Sequence, residues 1–317
     1  MLHVIECAGH PRDMGGLQGQ ACRQAVVECV ERGHLSHRRH PWPALSAFTS
    51  GRVRGGGTAR EIIRHYTHLS ERIDGLARGA GVPTDSLLEL HACTLSGASG
   101  TERLLRPAVA LAASGLDGHA GPTLVRGLAA TGEAGPGWIL RRSDPEVGFR
   151  SLEVTWPWLA TAVAGVNESG LALAWVPGRV AEAGEAGAPP FILLIQECLQ
   201  RFGHAGAAAD WCLSRPACGS GSIVIADAAG EAVRVEASRR ARQARRADAL
   251  PLIVGEPARL VESLEESARH ESLLDVKALA AGGGAAPPEA FVRLSCTGHS
   301  LQLRRLSAPL EEVLLEI

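Results

Sequence analysis

Between residues 108 and 176 the chain passes through six short apolar stretches, at 108–113, 122–127, 137–142, 149–155, 159–166 and 171–176. Parallel strands need a crossover of roughly a dozen residues or more, and these gaps leave no room for one. The stretches therefore predict antiparallel strands joined by hairpins. The first hairpin reads RPAVALAASGLDGHAGPTLVRGL, with a Gly-Leu-Asp-Gly turn around Asp117 and a returning strand that carries Arg126. Asn167-Glu168-Ser169-Gly170, set between two apolar runs, is a second turn signal. A third hairpin follows as SIVIAD, a turn at Ala228-Ala229-Gly230, and EAVRVEA. Short strands near 291–295, 300–306 and 312–316 close the chain.

Helical periodicity flanks this strand-rich centre. It covers 17–33, 58–79, a short helix opened by Thr84 or Asp85, then 190–213 and 258–280. Gly15 and Gly19 lie one helical turn apart and predict a face against which another backbone packs closely. Residues 34–57 and 281–290 read as loops, and 178–190 has no assigned structure. The expected fold is α+β with layered sheets, in one domain over 1–317. Residues 1–105 form its mainly helical part and 106–317 its sheet-rich part.

At 317 residues, with 45% hydrophobic and 21% charged, the chain can bury a large core. A net charge of -2 gives no general attraction to nucleic acid or an anionic membrane. Lys277 is the only lysine, so Schiff-base chemistry has one candidate, with nothing around it to suggest a buried amine. The basic stretch 238–248 reads as a solvated turn or helix end; a nucleic-acid contact there is the minority reading. No apolar run suits a signal peptide or a membrane span. Eight scattered cysteines without a C-x-x-C read as reduced and mostly buried, which predicts a cytoplasmic location. His34, His37 and His40 recur every three residues, but Pro41 and Pro43 follow and no carboxylate or thiol completes a site. Neither metal nor cofactor is expected.

Four stretches, in order, resemble one family. GHPRDMGGLQGQA is similar to the N-terminal signature of the acyl-CoA:6-aminopenicillanic acid acyltransferase and linear amide hydrolase family. ERIDGLARGAGVPTDSLLELHA resembles its helix pair before the catalytic strand, and GVNESGLALAWV its Gly-x-Asn-Glu-x-Gly-Leu hairpin. SIVIADAAGEAVRVEAS resembles the later hairpin, which ends in an acidic residue. The resemblance implies the N-terminal-nucleophile hydrolase fold, a four-layer αββα sandwich of mostly antiparallel sheets. It also implies a precursor that cuts itself before a cysteine, whose thiolate then attacks an amide or thioester carbonyl with its own amine as base. Asparagines and backbone N–H groups are implied to steady the oxyanion.

Placed on that pattern, the nucleophile falls on Ala108, and no Cys, Ser or Thr lies within 107–113. The Asp-Gly turn survives as Asp117-Gly118 and the arginine as Arg126, while the following Asn and Asp fall on Gly127 and Ala129. The asparagine expected in the later hairpin falls near Ser222, and ALPLIVGEP replaces the Thr-Asn-His stretch. Asn167 and Glu168 are retained, for hairpin geometry or a remnant pocket. His299, after Cys296, matches a late landmark and reads as a core or pocket residue. Cys93 is the weak alternative nucleophile; His91, two residues before it, points away from it on a helix. Ser114 reads as a turn residue.

The expectation is a non-cleaved, catalytically impaired member that binds a small acyl or amide ligand, or a protein partner such as an active paralogue or a second copy. The alternative is a working amide hydrolase or N-acyltransferase with a displaced nucleophile. Nucleic-acid binding through 238–246 is a third possibility.

Overall fold

The computed structural model describes residues 3–38, 52–95, 109–114, 121–128, 137–178, 188–238, 241–247, 252–255, 290–305 and 312–317. Ala108, Asp117, the helix expected over 258–280 and the loop at 281–289 lie outside these residues. The protein is α+β. Strand β1 (His3–Gly9) leads into helices α1 (Pro11–Ala21), α2 (Arg23–Arg38), α3 (Arg52–His65), α4 (Thr67–Ala80) and α5 (Thr84–Leu95). The first sheet-rich run holds β2 (Val109–Ser114), β3 (Pro122–Leu128), β4 (Ile139–Pro145), β5 (Ser151–Thr155), β6 (Ala164–Asn167) and β7 (Ala172–Pro177). Helices α6 (Leu193–Arg201) and α7 (Ala205–Ser214) follow. Then come β8 (Gly221–Ala226), β9 (Ala232–Ala237), β10 (Arg242–Arg246), β11 (Leu252–Gly255), β12 (Ala290–Ser295), β13 (Ser300–Arg305) and β14 (Glu312–Glu316).

The strands form two sheets. One has eight strands in the order β1-β4-β5-β6-β7-β8-β9-β10, the other six in the order β11-β2-β3-β12-β13-β14. All neighbours pair antiparallel except β1 and β4. β2 and β3 face β7 and β8 across the sandwich, while α1, α6 and α7 pack on the eight-stranded sheet. Among the described residues the layers are thus helix, sheet, sheet.

The α1–α4 contact is a glycine interface. A Cβ on Gly15 would lie 2.0 Å from the Arg72 carbonyl oxygen, and one on Gly19 2.2 Å from that of Leu76. In return, a Cβ on Gly75 of α4 would lie 1.9 Å from the Arg12 carbonyl oxygen and one on Gly79 2.3 Å from that of Gly16. Backbone touches backbone, as the spacing of Gly15 and Gly19 predicts.

Three long helical stretches are each broken in two. The break after α1 falls at Cys22, that after α3 at Tyr66, and that after α6 at Phe202–His204. Residues 34–38 and 52–57 are helical rather than loop, so His34 and His37 sit at the end of α2; His40 lies outside the described residues. Within the stretch 238–248, residues 242–246 are a strand rather than a turn or helix end. This strand, β10, is exposed on the edge of the sheet, where arginines discourage pairing with another chain.

The strand expected over 159–166 shrinks to β6, because residues 156–163 form a buried loop. Such a loop must satisfy its backbone without water. The Gln18 side chain donates to the Pro157 and Leu159 carbonyls at 3.0 Å each. Ala160 N–H donates to His91 Nε2 at 3.1 Å, and Ala162 N–H to Gln196 Oε1 at 3.2 Å. Side chains from α1, α5 and α6 thus replace the ladder a strand would have had.

Candidate functional site

The β7–β8–β9 end of the sandwich, opposite the Asn167 turn, holds a cavity of about 510 Å³. Its wall takes Val176 and Pro177 from β7, Ser222 from β8, Arg234 and Glu236 from β9, and Val254 from β11. The neighbouring residue of β11, Gly255, pairs with Val109 at the start of β2. The cavity is therefore bordered by the strand that pairs with the segment just after Ala108.

Strand alternation builds its polar side. Ser222 pairs with Glu236 and Val224 with Arg234, so Arg234 and Glu236, two apart, share one face with Ser222. Arg234 forms an ion pair with Glu236. Arg234 Nε also reaches Ser222 Oγ at 3.4 Å, and Gln243 Nε2 donates to Glu236 Oε2 at 3.1 Å. The opposite face of β9, with Val233 and Val235, is buried. Among the described lining residues there is no thiol, imidazole or amine.

Of the residues singled out in the sequence, Ser222 reaches this cavity. Arg126 is buried inside the sandwich, where its Nε donates to the Trp175 carbonyl at 2.7 Å and its guanidinium lies 6.0 Å from the Trp138 ring centroid. Burial pushes its pKa down to about 9. Trp138 stacks on Trp156 at 4.6 Å and Trp156 on Trp158 at 6.1 Å. Asn167 and Glu168 sit at the other end of β7 and have structural partners. Asn167 Oδ1 accepts from the Ser169 and Leu171 N–H groups at 3.1 and 2.9 Å. Its Nδ2 donates to the Leu199 and Phe202 carbonyls at 2.9 and 2.8 Å. Glu168 binds Arg150 at 2.7 Å. Gly170 closes this turn at φ +82°, a conformation that favours glycine.

His299 is not a core residue. It is partly exposed, in the turn between β12 and β13 at φ +44°. Ser114 ends β2, paired with Pro122, and is a strand residue rather than part of the turn. Cys93 is on α5, and its side chain lies outside the described residues. His91 is no base for it: Nδ1 bonds the Leu87 carbonyl at 2.8 Å while Nε2 receives Ala160 N–H. Burial lowers its pKa to about 4. Burial also raises the thiol pKa of Cys22 to about 11 and of Cys29, Cys218 and Cys296 to about 12. None of these four is poised as a thiolate nucleophile.

Sequence reasoning did not single out Arg234 or assemble a polar trio, although Arg234 and Glu236 stand two apart, the period of one strand face. It also missed a second cluster. Arg141 and Glu153, opposite each other on β4 and β5, form a fully buried ion pair. Arg141 donates to Gln18 at 2.7 Å and Gln196 at 2.9 Å, while Gln196 and Ser151 donate to Glu153 at 2.8 and 2.7 Å. These contacts tie α1 and α6 to the sheet. No group of three or more potential metal ligands occurs among the described residues. No helix among them is long and apolar enough to cross a membrane.

No family model matches the chain, and no curated protein matches it. Similar solved structures include a mutant of the conjugated bile acid hydrolase from Clostridium perfringens, at 11% identity over 65% of this chain and 92% of that one, with a TM-score of 0.46. Penicillin V acylase from Agrobacterium tumefaciens is 11% identical over 66% of this chain and 86% of its own, at a TM-score of 0.40. The N-acylethanolamine-hydrolyzing acid amidase ortholog from Caenorhabditis elegans is 12% identical over 60% and 93%, at 0.43.

Proposed function

We propose that this chain is a catalytically impaired protein of the linear amide hydrolase and acyltransferase family that works by binding a small acyl or amide ligand in the cavity beside β11. The observation that carries this function is Ala108 at the position of the family's nucleophile. In the family scheme that residue supplies both the attacking thiol and, once freed, the base. An alanine supplies neither, and losing a nucleophile costs roughly 10⁴-fold or more in rate. The cavity supports the same conclusion. Its hydroxyl at Ser222 lies beside a guanidinium, and both oxygens of Glu236 already accept from Arg234 and Gln243. The carboxylate facing Ser222 is thus held by a guanidinium and an amide, which weakens it as a base for that hydroxyl.

The purified protein is expected to give a single intact mass near 33.2 kDa, with no cut before residue 108. An electrophilic acyl probe followed by peptide mass spectrometry is expected to leave every serine and cysteine without a selective adduct. Stoichiometric labelling of one such residue would establish a displaced nucleophile and an active enzyme instead.

A further inference from the structure

Building on the binding function proposed above, we propose that the cavity takes a small zwitterion, a molecule carrying one carboxylate and one ammonium, such as an amino acid or a dipeptide. Arg234 and Glu236 are the charged residues among the described lining; Ser220, Ser222, Ser238 and Gln243 supply neutral polar groups. The side chains of Arg234 and Glu236 are 30% and 28% exposed, so both heads are half-buried and in reach of a ligand. A volume of about 510 Å³ lies within the ordinary range for small-molecule sites.

The charge pattern selects the ligand. A lone anion drawn to Arg234 is repelled by Glu236 beside it, and a lone cation meets the reverse. A zwitterion aligned head to tail against the pair gains both attractions and leaves no site charge uncompensated. Capacity for this remains on both side chains. The described residues use two of the guanidinium's five donors, and two of a carboxylate's roughly four lone-pair sites. Ser222 and Gln243 hold the two heads in place. Val176, Pro177 and Val254 give an apolar wall for the rest of the ligand.

Isothermal titration calorimetry of the full chain at low salt tests this with four probes. They are L-alanyl-L-alanine, its N-acetyl derivative, its C-terminal amide, and the doubly blocked neutral peptide. The free dipeptide is expected to bind at least tenfold more tightly than each blocked form. Arg234→Gln is expected to abolish or reverse the dipeptide's advantage over its amide, and Glu236→Gln its advantage over its N-acetyl form. Should either single variant misfold by circular dichroism, the double variant retains a neutral pair and is expected to bind all four alike. Equal binding of the four probes by the native chain would overturn the proposal, as would no binding of the dipeptide. Preferential binding of a neutral acyl amide such as hexanamide would also overturn it while leaving the proposed function standing. A selective acyl-probe adduct would instead overturn the impaired function without touching the zwitterion preference.

Discussion

Asn167 and Glu168 are neighbours in one turn, yet their side chains do opposite amounts of work. The Asn167 amide is fully buried and spends both its oxygen and its nitrogen on backbone, closing its own turn and holding the end of α6. Removing it strands two N–H groups and two carbonyls, and the Leu171 N–H and Leu199 carbonyl among them are buried where water cannot replace it. Each unsatisfied buried group costs roughly 1–3 kcal/mol, so even with partial relaxation Asn167→Ala is expected to destabilise the fold by about 3 kcal/mol. Glu168 instead pairs with Arg150 at the surface, where solvent screens the interaction. Glu168→Ala is expected to leave the urea midpoint unchanged within error. Equal shifts for the two variants would show that Asn167 is not the latch. Both residues fit the sequence pattern of the hairpin equally well. The bonds of Asn167 within the turn are local, but the arrival of α6 over it is encoded by no local spacing.

At the scale of elements, hairpins and the glycine helix contact were legible because each depends on chemistry a few residues long. Asn167 to Gly170 dictate a turn, and Gly15 and Gly19 present bare backbone from one helical face. Gly19→Ala puts a methyl 2.2 Å from the Leu76 carbonyl and must push α1 away from α4. Overpacking of this kind costs roughly 1–3 kcal/mol or more. Gly16→Ala is the control, since its Cβ would find its nearest neighbour at 3.9 Å. It should gain up to about 1 kcal/mol of helix propensity. Thermal melts of the two variants are expected to move in opposite directions. What escaped the sequence lacked a local signature. β10 has no apolar alternation because it is an exposed edge, so RQARR looked like a solvated run. The loop 156–163 is as apolar as a strand, but side chains far away in the chain satisfy its backbone. The trio of Ser222, Arg234 and Glu236 needs the register between β8 and β9, which follows only once the hairpin is paired.

Across the whole molecule, His91 links helix α5 to that buried loop and makes the sandwich sensitive to acid. Its Nδ1 proton goes to the Leu87 carbonyl, so Nε2 must stay bare to receive the Ala160 N–H. Protonation would set two donors against each other inside the core. Burial accordingly lowers the folded pKa to about 4, against an ordinary value of 6.5. Between these values the unfolded chain binds the extra proton and the folded chain does not. Stability from this group is therefore complete above pH 6.5 and is lost progressively as pH falls toward 4. A shift of this size corresponds to about 3 kcal/mol. Glu153 acts in a different window. Arg141 and its hydrogen bonds hold its carboxylate below the usual range despite burial, so its share is lost only below about pH 4.5. Urea unfolding at pH 7.5, 6.0, 5.0 and 4.5 is expected to show a steady decline for the native chain. His91→Gln can keep a carbonyl oxygen toward Ala160 N–H but has no proton to gain. It is expected to start less stable at pH 7.5 and to show a flatter decline down to pH 4.5. Parallel pH profiles for the two proteins would mean that the acid sensitivity resides in other groups and that His91 is not the proton-linked tie between α5 and the loop.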